Sequence, residues 1–148
     1  MTALLARPRR QAPFAERKRD SGLLPPLVLV VEDHEDTRFL LKTMLEMHGY
    51  RVSEARDGEE GVLLARREHP RLVIMDATLP RLDGIAATRR IRSDSALESV
   101  PVVFLSGHAQ PDFRAAALDA GGTDFLVKPI ALDVLASVLE KHLRAAVA

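Results

Sequence analysis

Five short apolar runs alternate along this 148-residue chain with five longer segments in which apolar residues recur at helical spacing. The runs predict β-strands, because they are short, rich in β-branched residues and bounded by turn-forming residues. They cover residues 27–31, 51–55, 72–75, 102–105 and 124–127. The segments between and after them predict helices that begin near Glu35, Glu59, Gly84, Pro111 and Leu132. Regular alternation of strands and helices indicates a parallel sheet covered by helices on both faces.

The composition is that of an ordinary globular domain. The chain is 47% hydrophobic and 28% charged, and its 148 residues suffice for one domain with a buried core. It contains no cysteine, which excludes disulfide bonds and thiolate chemistry and agrees with the cytoplasmic location that we expect. No apolar run approaches the roughly 20 residues that a membrane-spanning helix needs, so we expect no membrane partner.

Residues 1–26 differ from the rest of the chain. They hold six Lys/Arg against two acidic residues, are rich in Arg and Pro, and show no sustained apolar period. We predict a flexible basic extension here and a folded domain over residues 27–148. A nucleic-acid arm, a membrane-surface contact and a transit peptide are alternative interpretations of such a tail. Nucleic-acid binding by the domain itself is not expected, because the remainder of the chain is acidic.

Charged residues follow three of the predicted strands at the point where each strand ends. Glu32 and Asp33 follow the first strand, Asp76 follows the third, and Lys128 follows the fifth. Since residues directly after parallel strands meet at one edge of the sheet, three carboxylates and one ammonium group should converge there. Clustered carboxylates are tolerable when a cation lies among them, and one divalent ion would bring the formal charge of this cluster to zero.

The donor atoms indicate which ion this would be. With oxygen ligands, and neither cysteine nor histidine in the cluster, a hard cation is favoured over zinc or copper. Mg²⁺ fits best, with Mn²⁺ as a substitute, because it takes one or two carboxylates and leaves positions open for phosphate oxygens. Taken singly, Glu32 and Asp33 would be a solvated helix entry and Lys128 an exposed lysine; their joint placement with Asp76 favours the metal site.

These residues belong to an ordered set of motifs that resembles the receiver domains of two-component response regulators. The set covers residues 27–146 and consists of Val30-Val31-Glu32-Asp33 with Arg38 and Leu41, Leu72-Val73-Ile74-Met75-Asp76 with Leu79-Pro80 and Asp83-Gly84, Val102-Val103-Phe104-Leu105-Ser106-Gly107, and Gly121-Gly122-Thr123-Asp124-Phe125-Leu126-Val127-Lys128-Pro129. Each motif alone is weak, whereas their shared order and spacing are specific. The resemblance implies an α/β fold, the flavodoxin-like (βα)5 three-layer sandwich with parallel strand order 2-1-3-4-5.

The resemblance also implies a role for each acidic residue of the cluster. Asp76 would be the phosphoacceptor. Glu32 and Asp33 would hold Mg²⁺, Asp33 directly and Glu32 partly through water. Asp76 itself and the backbone carbonyl of Thr78 would complete the set of protein ligands.

Three further residues would bind the phosphoryl group or respond to it. Lys128 corresponds to the phosphate-binding lysine, Ser106 to the switch hydroxyl and Phe125 to the aromatic switch position. The family usually has a cis bond before the next proline, so the bond between Lys128 and Pro129 is expected to be cis. New phosphate oxygens would draw Ser106 and Lys128 inward, and movement of Phe125 would reshape the face formed by the fourth helix, fifth strand and fifth helix.

The chain departs from the family pattern near the acceptor. Gly107 stands where alanine is most frequent and should keep the site open, and Phe125 lacks the hydroxyl of the more frequent tyrosine. Thr78 occupies a variable position beside the acceptor, and His108 comes two residues after Ser106. Thr78 and His108 are therefore candidates for tuning phosphoryl access. None of these departures removes an essential group.

The implied function is a phosphorylation switch. Its phosphodonor would be a histidine kinase or a histidine phosphotransfer domain, and a downstream protein would bind the switching face; a homodimer is compatible with this interpretation. We expect autodephosphorylation at most, not turnover of an external substrate. We expect a stand-alone regulator, since the chain ends about one helix after the fifth strand, with a receiver fragment of a larger regulator or hybrid kinase as the alternative.

Two other functional classes fit this architecture less well. A phosphorylation-independent interaction module would have no need of the acidic pair, the acceptor and the lysine together. A flavin or dinucleotide enzyme would have a glycine-rich first loop, and residues 33–36 contain no glycine.

Overall fold

Strands and helices alternate through the structure as the periodicity predicts. The computed structural model describes residues 24–107 and 111–147. The strands are β1 (Leu27–Val31), β2 (Arg51–Ala55), β3 (Leu72–Asp76), β4 (Val102–Ser106) and β5 (Asp124–Val127). The helices are α1 (Glu35–Met47), α2 (Gly58–Glu68), α3 (Gly84–Arg92), α4 (Pro111–Asp119) and α5 (Leu132–Val147). A short 3₁₀ helix at Ser95–Leu97, too brief to show a repeat in the sequence, follows α3.

The strands form one parallel sheet in the order β2-β1-β3-β4-β5. The order reverses at β1, which pairs with β2 on one side and with β3 on the other. This is the predicted flavodoxin-like sandwich, and the prediction is confirmed. In such a sheet the crevice for a ligand lies beyond the carboxyl ends of the strands at the reversal point, here between β1 and β3.

Two apolar layers hold the helices on the sheet. Successive residues of a strand point to opposite faces, so Leu29 and Val31 of β1 pack with α2, α3 and α4, whereas Val28 and Val30 pack with α1 and α5. These four β1 side chains are fully buried. The central strands are therefore rigidly packed on both sides, which fixes the positions of the residues that follow them.

The starts of α2 and α3 are set by aspartate caps. The Asp57 side chain accepts a hydrogen bond from the Glu60 N–H at 2.8 Å, and Glu60 in turn accepts from the Arg56 N–H at 2.7 Å. The Asp57 cap starts α2 at Gly58, one residue before the predicted Glu59. Asp83 caps α3 in the same way, accepting from the Ala86 N–H at 2.8 Å.

Strands β3 and β4 each run one residue further than predicted and end on Asp76 and Ser106. The ladder extends because Ala77 N–H donates to the carbonyl of Leu105 at 3.0 Å and Lys128 N–H donates to the carbonyl of Ser106 at 2.9 Å. Both residues are consequently held by sheet hydrogen bonds, whereas a loop would have left them less ordered.

The predicted flexible extension falls largely outside the described residues, since the description begins at residue 24. Where the chain enters the fold, Arg51 donates through Nε to the carbonyl of Pro25 at 2.9 Å and through its backbone N–H to the carbonyl of Pro26 at 3.0 Å. Within residues 24–107 and 111–147, none of the helices has both the length and the apolar character required to cross a bilayer.

Candidate functional site

Three carboxylates meet at the carboxyl ends of β1 and β3. Val31 and Met75 are partners in the register of these strands, so the residues that follow, Glu32 and Asp76, emerge side by side. Glu32, Asp33 and Asp76 each offer a carboxylate oxygen, and these oxygens all lie within 4.8 Å of one another. The predicted convergence of the acidic residues is thus observed.

The three carboxylates differ in exposure. Glu32 is completely buried and Asp76 is 4% exposed, whereas Asp33 is exposed. Glu32 is fixed in place because its Oε2 accepts a hydrogen bond from the His34 N–H at 3.0 Å and its own N–H donates to the carbonyl of Ala55 at 3.0 Å. The cluster therefore consists of two buried carboxylates, Glu32 and Asp76, and one solvent-exposed carboxylate, Asp33.

Lys128 brings the ammonium group to this cluster from the end of β5. Its Nζ lies 3.0 Å from Oε1 of Glu32 and 3.4 Å from Oδ2 of Asp76. The buried Oε1 of Glu32 nevertheless accepts no well-directed hydrogen bond among the described residues. We treat the contact with Lys128 as an ion pair, since the distance is short while the direction of approach is poor.

Burial raises the pKa of the Glu32 carboxyl above its ordinary value of 4.5, and the adjacent Asp76 raises it further. The His34 N–H and Lys128 offset part of this effect. Partial burial alone would lower the pKa of the Lys128 ammonium, but the close contact with Glu32 and the charges of Asp76 and Glu32 outweigh burial and raise it. The cluster thus carries excess negative charge that one lysine compensates incompletely.

This arrangement fits a hard divalent cation. The donors are carboxylate oxygens, the set that Mg²⁺ takes in proteins, and one buried carboxylate oxygen lacks a directed hydrogen bond. The residues that would hold the ion are Glu32, Asp33 and Asp76.

Thr78 contributes to the orientation of Asp76. Its backbone N–H donates to Oδ1 of Asp76 at 3.1 Å, which leaves Oδ2 facing Lys128. The side chain of Thr78 is exposed next to Asp76, and its predicted role in tuning phosphoryl access stays a prediction. The role of its carbonyl as a metal ligand stays a prediction.

Ser106 and Lys128 are neighbours through the sheet. Ser106 is 9% exposed at the last position of β4, where it is the register partner of Val127. Its carbonyl accepts the Lys128 N–H, so the predicted switch hydroxyl and the predicted phosphate-binding lysine project from adjacent strand ends. The bond between Lys128 and Pro129 is cis, as expected. His108 lies outside the described residues.

Phe125 belongs to an aromatic cluster that the sequence did not reveal. Its ring lies 6.2 Å from that of the buried Phe104 and 6.4 Å from that of Phe113 on α4, with the guanidinium of Arg114 5.1 Å from its centroid. Phe104 and Phe113 are also in contact, at 6.0 Å. The predicted switch residue thus links β4 and β5 to α4 by ring stacking, edge contacts and a cation–π contact.

Arg38 is a second feature of the site that sequence reasoning left without a role. This residue of α1 is 7% exposed and donates through Nη1 to the backbone carbonyl of Glu32 at 3.0 Å. The sequence contains a sign of this role, because Arg38 falls on the same buried helix face as Leu41 and Leu45. A charged residue in an apolar stripe indicates a buried polar partner.

Comparison with known proteins agrees with this geometry. The sequence profile of the response regulator receiver domain matches residues 28–140. Protein PilH of Pseudomonas aeruginosa is 36% identical over 103 residues, which cover 70% of this chain and 85% of PilH. The response regulator MprA of Mycolicibacterium vanbaalenii is 36% identical over 121 residues, which cover 82% of this chain and 52% of that protein.

Solved structures show the same fold. The receiver domain of a Pseudomonas aeruginosa sensor histidine kinase, solved with a magnesium ion coordinated in its active-site cleft, is 34% identical with a TM-score of 0.77, covering 81% of this chain and 98% of that one. The chemotaxis protein CheY4 of Vibrio cholerae is 27% identical with a TM-score of 0.78, covering 80% of this chain and 99% of that one.

The chain belongs to the response regulator receiver domain family. It spans about half the length of relatives such as MprA, and 48% of a probable transcriptional regulator of Porphyridium aerugineum that is 35% identical over 117 residues. Sequence similarity to the receiver domain is thus shared with proteins of different overall size.

Proposed function

We propose that this domain accepts a phosphoryl group on Asp76 from the phosphohistidine of a histidine kinase or histidine phosphotransfer domain, in a Mg²⁺-dependent step. The observation that carries the proposal is the meeting of Asp76 with Glu32, Asp33 and Lys128 at the strand-order reversal of the sheet. Membership of the receiver family and the magnesium ion in the related kinase receiver domain support it.

In the transfer, a carboxylate oxygen of Asp76 would form a bond to phosphorus as the bond from phosphorus to the donor histidine nitrogen breaks. A carboxylate is a weak nucleophile, so the residues must position the phosphoryl group and neutralise its oxygens. The Thr78 N–H on Oδ1 fixes the rotation of the Asp76 carboxylate, and Lys128 supplies a positive charge beside Oδ2. When bound by Glu32 and Asp33, Mg²⁺ would supply the remaining neutralisation.

Phosphorylation would then change the interactions of Lys128. The new phosphate oxygens offer the ammonium group stronger acceptors than Glu32 alone, and they lie within expected reach of Ser106. A conformation with both residues turned inward would gain charge-assisted hydrogen bonds, and displacement of the Phe125 ring would alter the α4-β5-α5 face. We propose that a downstream protein reads that face.

The test is phosphorylation by acetyl phosphate and by phosphorylated histidine kinases, followed by intact mass. We expect one phosphoryl group per chain with Mg²⁺, none after chelation, and none in Asp76→Asn. Asp83→Asn is the matched control, because Asp83 is an exposed helix cap on the same loop and asparagine also caps. Labelling of Asp76→Asn equal to wild type, or labelling without divalent ions, would contradict the proposal.

A stand-alone regulator is the form of the protein that we propose within this function. PilH supports it, since the match covers 85% of that protein. The mass of the native protein, detected with an antibody in extracts of the source cells, tests it. A band near the 16.3 kDa of this chain is expected, and a much larger one would favour a receiver within a longer protein.

A further inference from the structure

We propose that Arg38 is a positioning residue for the divalent-ion site, acting through the backbone of Glu32. The proposal rests on the proposed function, because it assumes that Glu32 and Asp33 bind Mg²⁺. Arg38 lies on α1 and reaches the site through a backbone carbonyl, so any effect on the ion would come from the placement of the carboxylates.

The guanidinium of Arg38 holds two elements together. Its Nη1 donates to the Glu32 carbonyl at 3.0 Å, and its Nε lies 3.3 Å from Oε1 of Glu54 on β2. The Arg38 side chain is 9% exposed, so its hydrogen bond to the Glu32 carbonyl is shielded from water, whereas Glu54 is 36% exposed and its ion pair with Arg38 is open to solvent. One hydrogen bond and one ion pair, made by different nitrogens of the same planar group, together fix its orientation, which a single contact would not do.

The same group closes the short loop that carries the acidic pair. Glu32 is anchored at its N–H by the carbonyl of Ala55 and at its carbonyl by Arg38. The backbone N–H of Arg38 donates to the carbonyl of His34 at 2.9 Å, and the His34 N–H donates to Oε2 of Glu32. The N–H of Glu32 is therefore bonded to β2 and its carbonyl to α1.

Charge and position predict opposite effects when Arg38 is removed. A cation close to the site repels Mg²⁺, so loss of its charge alone would tighten metal binding. Loss of the hydrogen bond to Glu32 would free the loop, and the ion would then have to order the carboxylates as it binds. Residues that orient metal ligands typically change affinity by about 10- to 100-fold when mutated.

Lys42 offers a matched control for the charge effect. Its Nζ lies 3.9 Å from Oε2 of Glu54, the carboxylate that also pairs with Arg38, and no contact joins it to Glu32 among the described interactions. Lys42→Met therefore removes one positive charge from the same network while the carbonyl of Glu32 keeps its donor.

The experiment measures Mg²⁺ affinity by calorimetry in the full chain for wild type, Arg38→Met, Arg38→Lys and Lys42→Met. We expect Arg38→Met to weaken Mg²⁺ binding about tenfold. Arg38→Lys should weaken it less, because an ammonium group can keep the hydrogen bond to the Glu32 carbonyl but cannot contact Glu54 at the same time, and Lys42→Met should leave it unchanged or slightly tighter. In metal-free protein, the His34 amide should exchange with solvent faster in Arg38→Met while the amides of β4 stay protected.

Equal or tighter Mg²⁺ binding by Arg38→Met with wild-type circular dichroism overturns the proposal. If Arg38→Met does not fold, Arg38→Lys is the variant that tests the proposal. An unchanged Mg²⁺ affinity together with an unchanged exchange rate of the His34 amide in Arg38→Lys would also overturn it. Failure of wild type to bind Mg²⁺ would instead overturn the proposed function, so the two failures are distinguishable.

Discussion

Nζ of Lys128 lies 3.0 Å from a carboxylate oxygen of Glu32, so one ammonium group at the end of β5 is paired with a fully buried acid at the end of β1. The two residues follow strands that are not neighbours in the sheet, since β3 and β4 lie between β1 and β5. Lys128 is a counter-charge to two members of the acidic cluster, Glu32 and Asp76. Removal of Lys128 should therefore increase the uncompensated negative charge of this cluster, and addition of Mg²⁺ should decrease it.

Replacement of Lys128 by methionine should abolish phosphorylation and destabilise the metal-free protein. Breaking a buried ion pair costs about 3 to 5 kcal/mol, but Lys128 is 31% exposed, so we expect about 1 to 2 kcal/mol. Mg²⁺ should restore more stability in the variant than it adds to wild type. Urea unfolding with and without Mg²⁺ measures both effects.

Lys141→Met is the control for that experiment. Nζ of Lys141, a 71% exposed residue, lies 3.8 Å from Oδ2 of Asp124 at the start of β5, whereas Lys128 follows the end of that strand, so loss of Lys141 should not change the response to Mg²⁺. An equal Mg²⁺ response in Lys128→Met and wild type would show that the ammonium does not compensate the cluster.

Replacement of Glu32 by glutamine should stabilise the metal-free protein at neutral pH. The pKa of Glu32 is raised, so the native state binds this proton more tightly than the unfolded state, and ionisation of Glu32 costs stability. That cost appears as pH rises from the ordinary value of 4.5 through the raised pKa. We expect a gain on the order of 1 kcal/mol above that range, because a buried, poorly compensated charge is removed.

Urea unfolding in chelator across the acid-to-neutral range measures this effect. The difference between Glu32→Gln and wild type should shrink toward low pH, and Mg²⁺ affinity of the variant should fall. A variant that is less stable than wild type at neutral pH without metal would show that Lys128 fully satisfies Glu32.

Asp124 should have the opposite pH dependence. Burial raises its pKa, but the hydrogen bond with His142 at 2.9 Å, the Phe125 N–H and the charge of Lys141 outweigh burial and lower it. The native state thus favours the carboxylate, and its contribution is present above the ordinary value of 3.8 and lost as pH falls through the lowered pKa.

Asp124→Asn should accordingly destabilise the protein at neutral pH by about 1 kcal/mol, a discounted value because the side chain is 27% exposed. Chemical unfolding of variant and wild type at a series of pH values measures the difference. It should stay constant near neutrality and decline in strong acid; a difference that grows on acidification contradicts the assignment.

Two glycines near the site should respond very differently to alanine. A Cβ on Gly84 would overlap the carbonyl oxygen of Asp76, whereas a Cβ on Gly107 would meet none of the described atoms within 4 Å. Gly84→Ala should cost about 3 kcal/mol and slow phosphorylation, since relief of the overlap displaces the Asp76 backbone. Gly107→Ala should be within about 0.5 kcal/mol of wild type.

Thermal unfolding and the rate of acetyl phosphate labelling compare the two variants. Equal labelling rates for Gly84→Ala and Gly107→Ala would show that the position of the Asp76 backbone does not limit the reaction.

The strands and the acidic site could be predicted from the sequence because both depend on the order of neighbouring residues along the chain. Leu72 through Met75 form an unbroken apolar run, as a strand buried on both faces requires, and Asp76 follows it directly. Parallel topology then places the ends of alternate strands together without knowledge of any side-chain geometry. The predictions for Glu32, Asp33, Asp76 and Lys128 needed no more than this.

Contacts between elements distant in sequence could not be predicted in the same way. Arg38 donates to the backbone carbonyl of Glu32, and because every residue has such a carbonyl, the sequence does not indicate which one is the partner. The stacking of Phe125 on Phe104 and Phe113 depends on the distances between β4, β5 and α4. Single-residue errors at the ends of β3 and β4 arose because a strand can extend through a polar residue when its neighbour supplies the hydrogen bonds.

The placement of β5 at the margin of the sheet has a mechanical consequence. This four-residue strand is hydrogen-bonded to β4 alone, whereas β1 and β3 each have a hydrogen-bonded strand on both sides. Asp76, the proposed phosphoacceptor, therefore ends a strand that is held on both sides, whereas Phe125 lies on an edge strand and Lys128 directly follows it, where local opening requires less energy. The proposed phosphorylation of Asp76 would therefore move the edge strand while the central strands keep their positions.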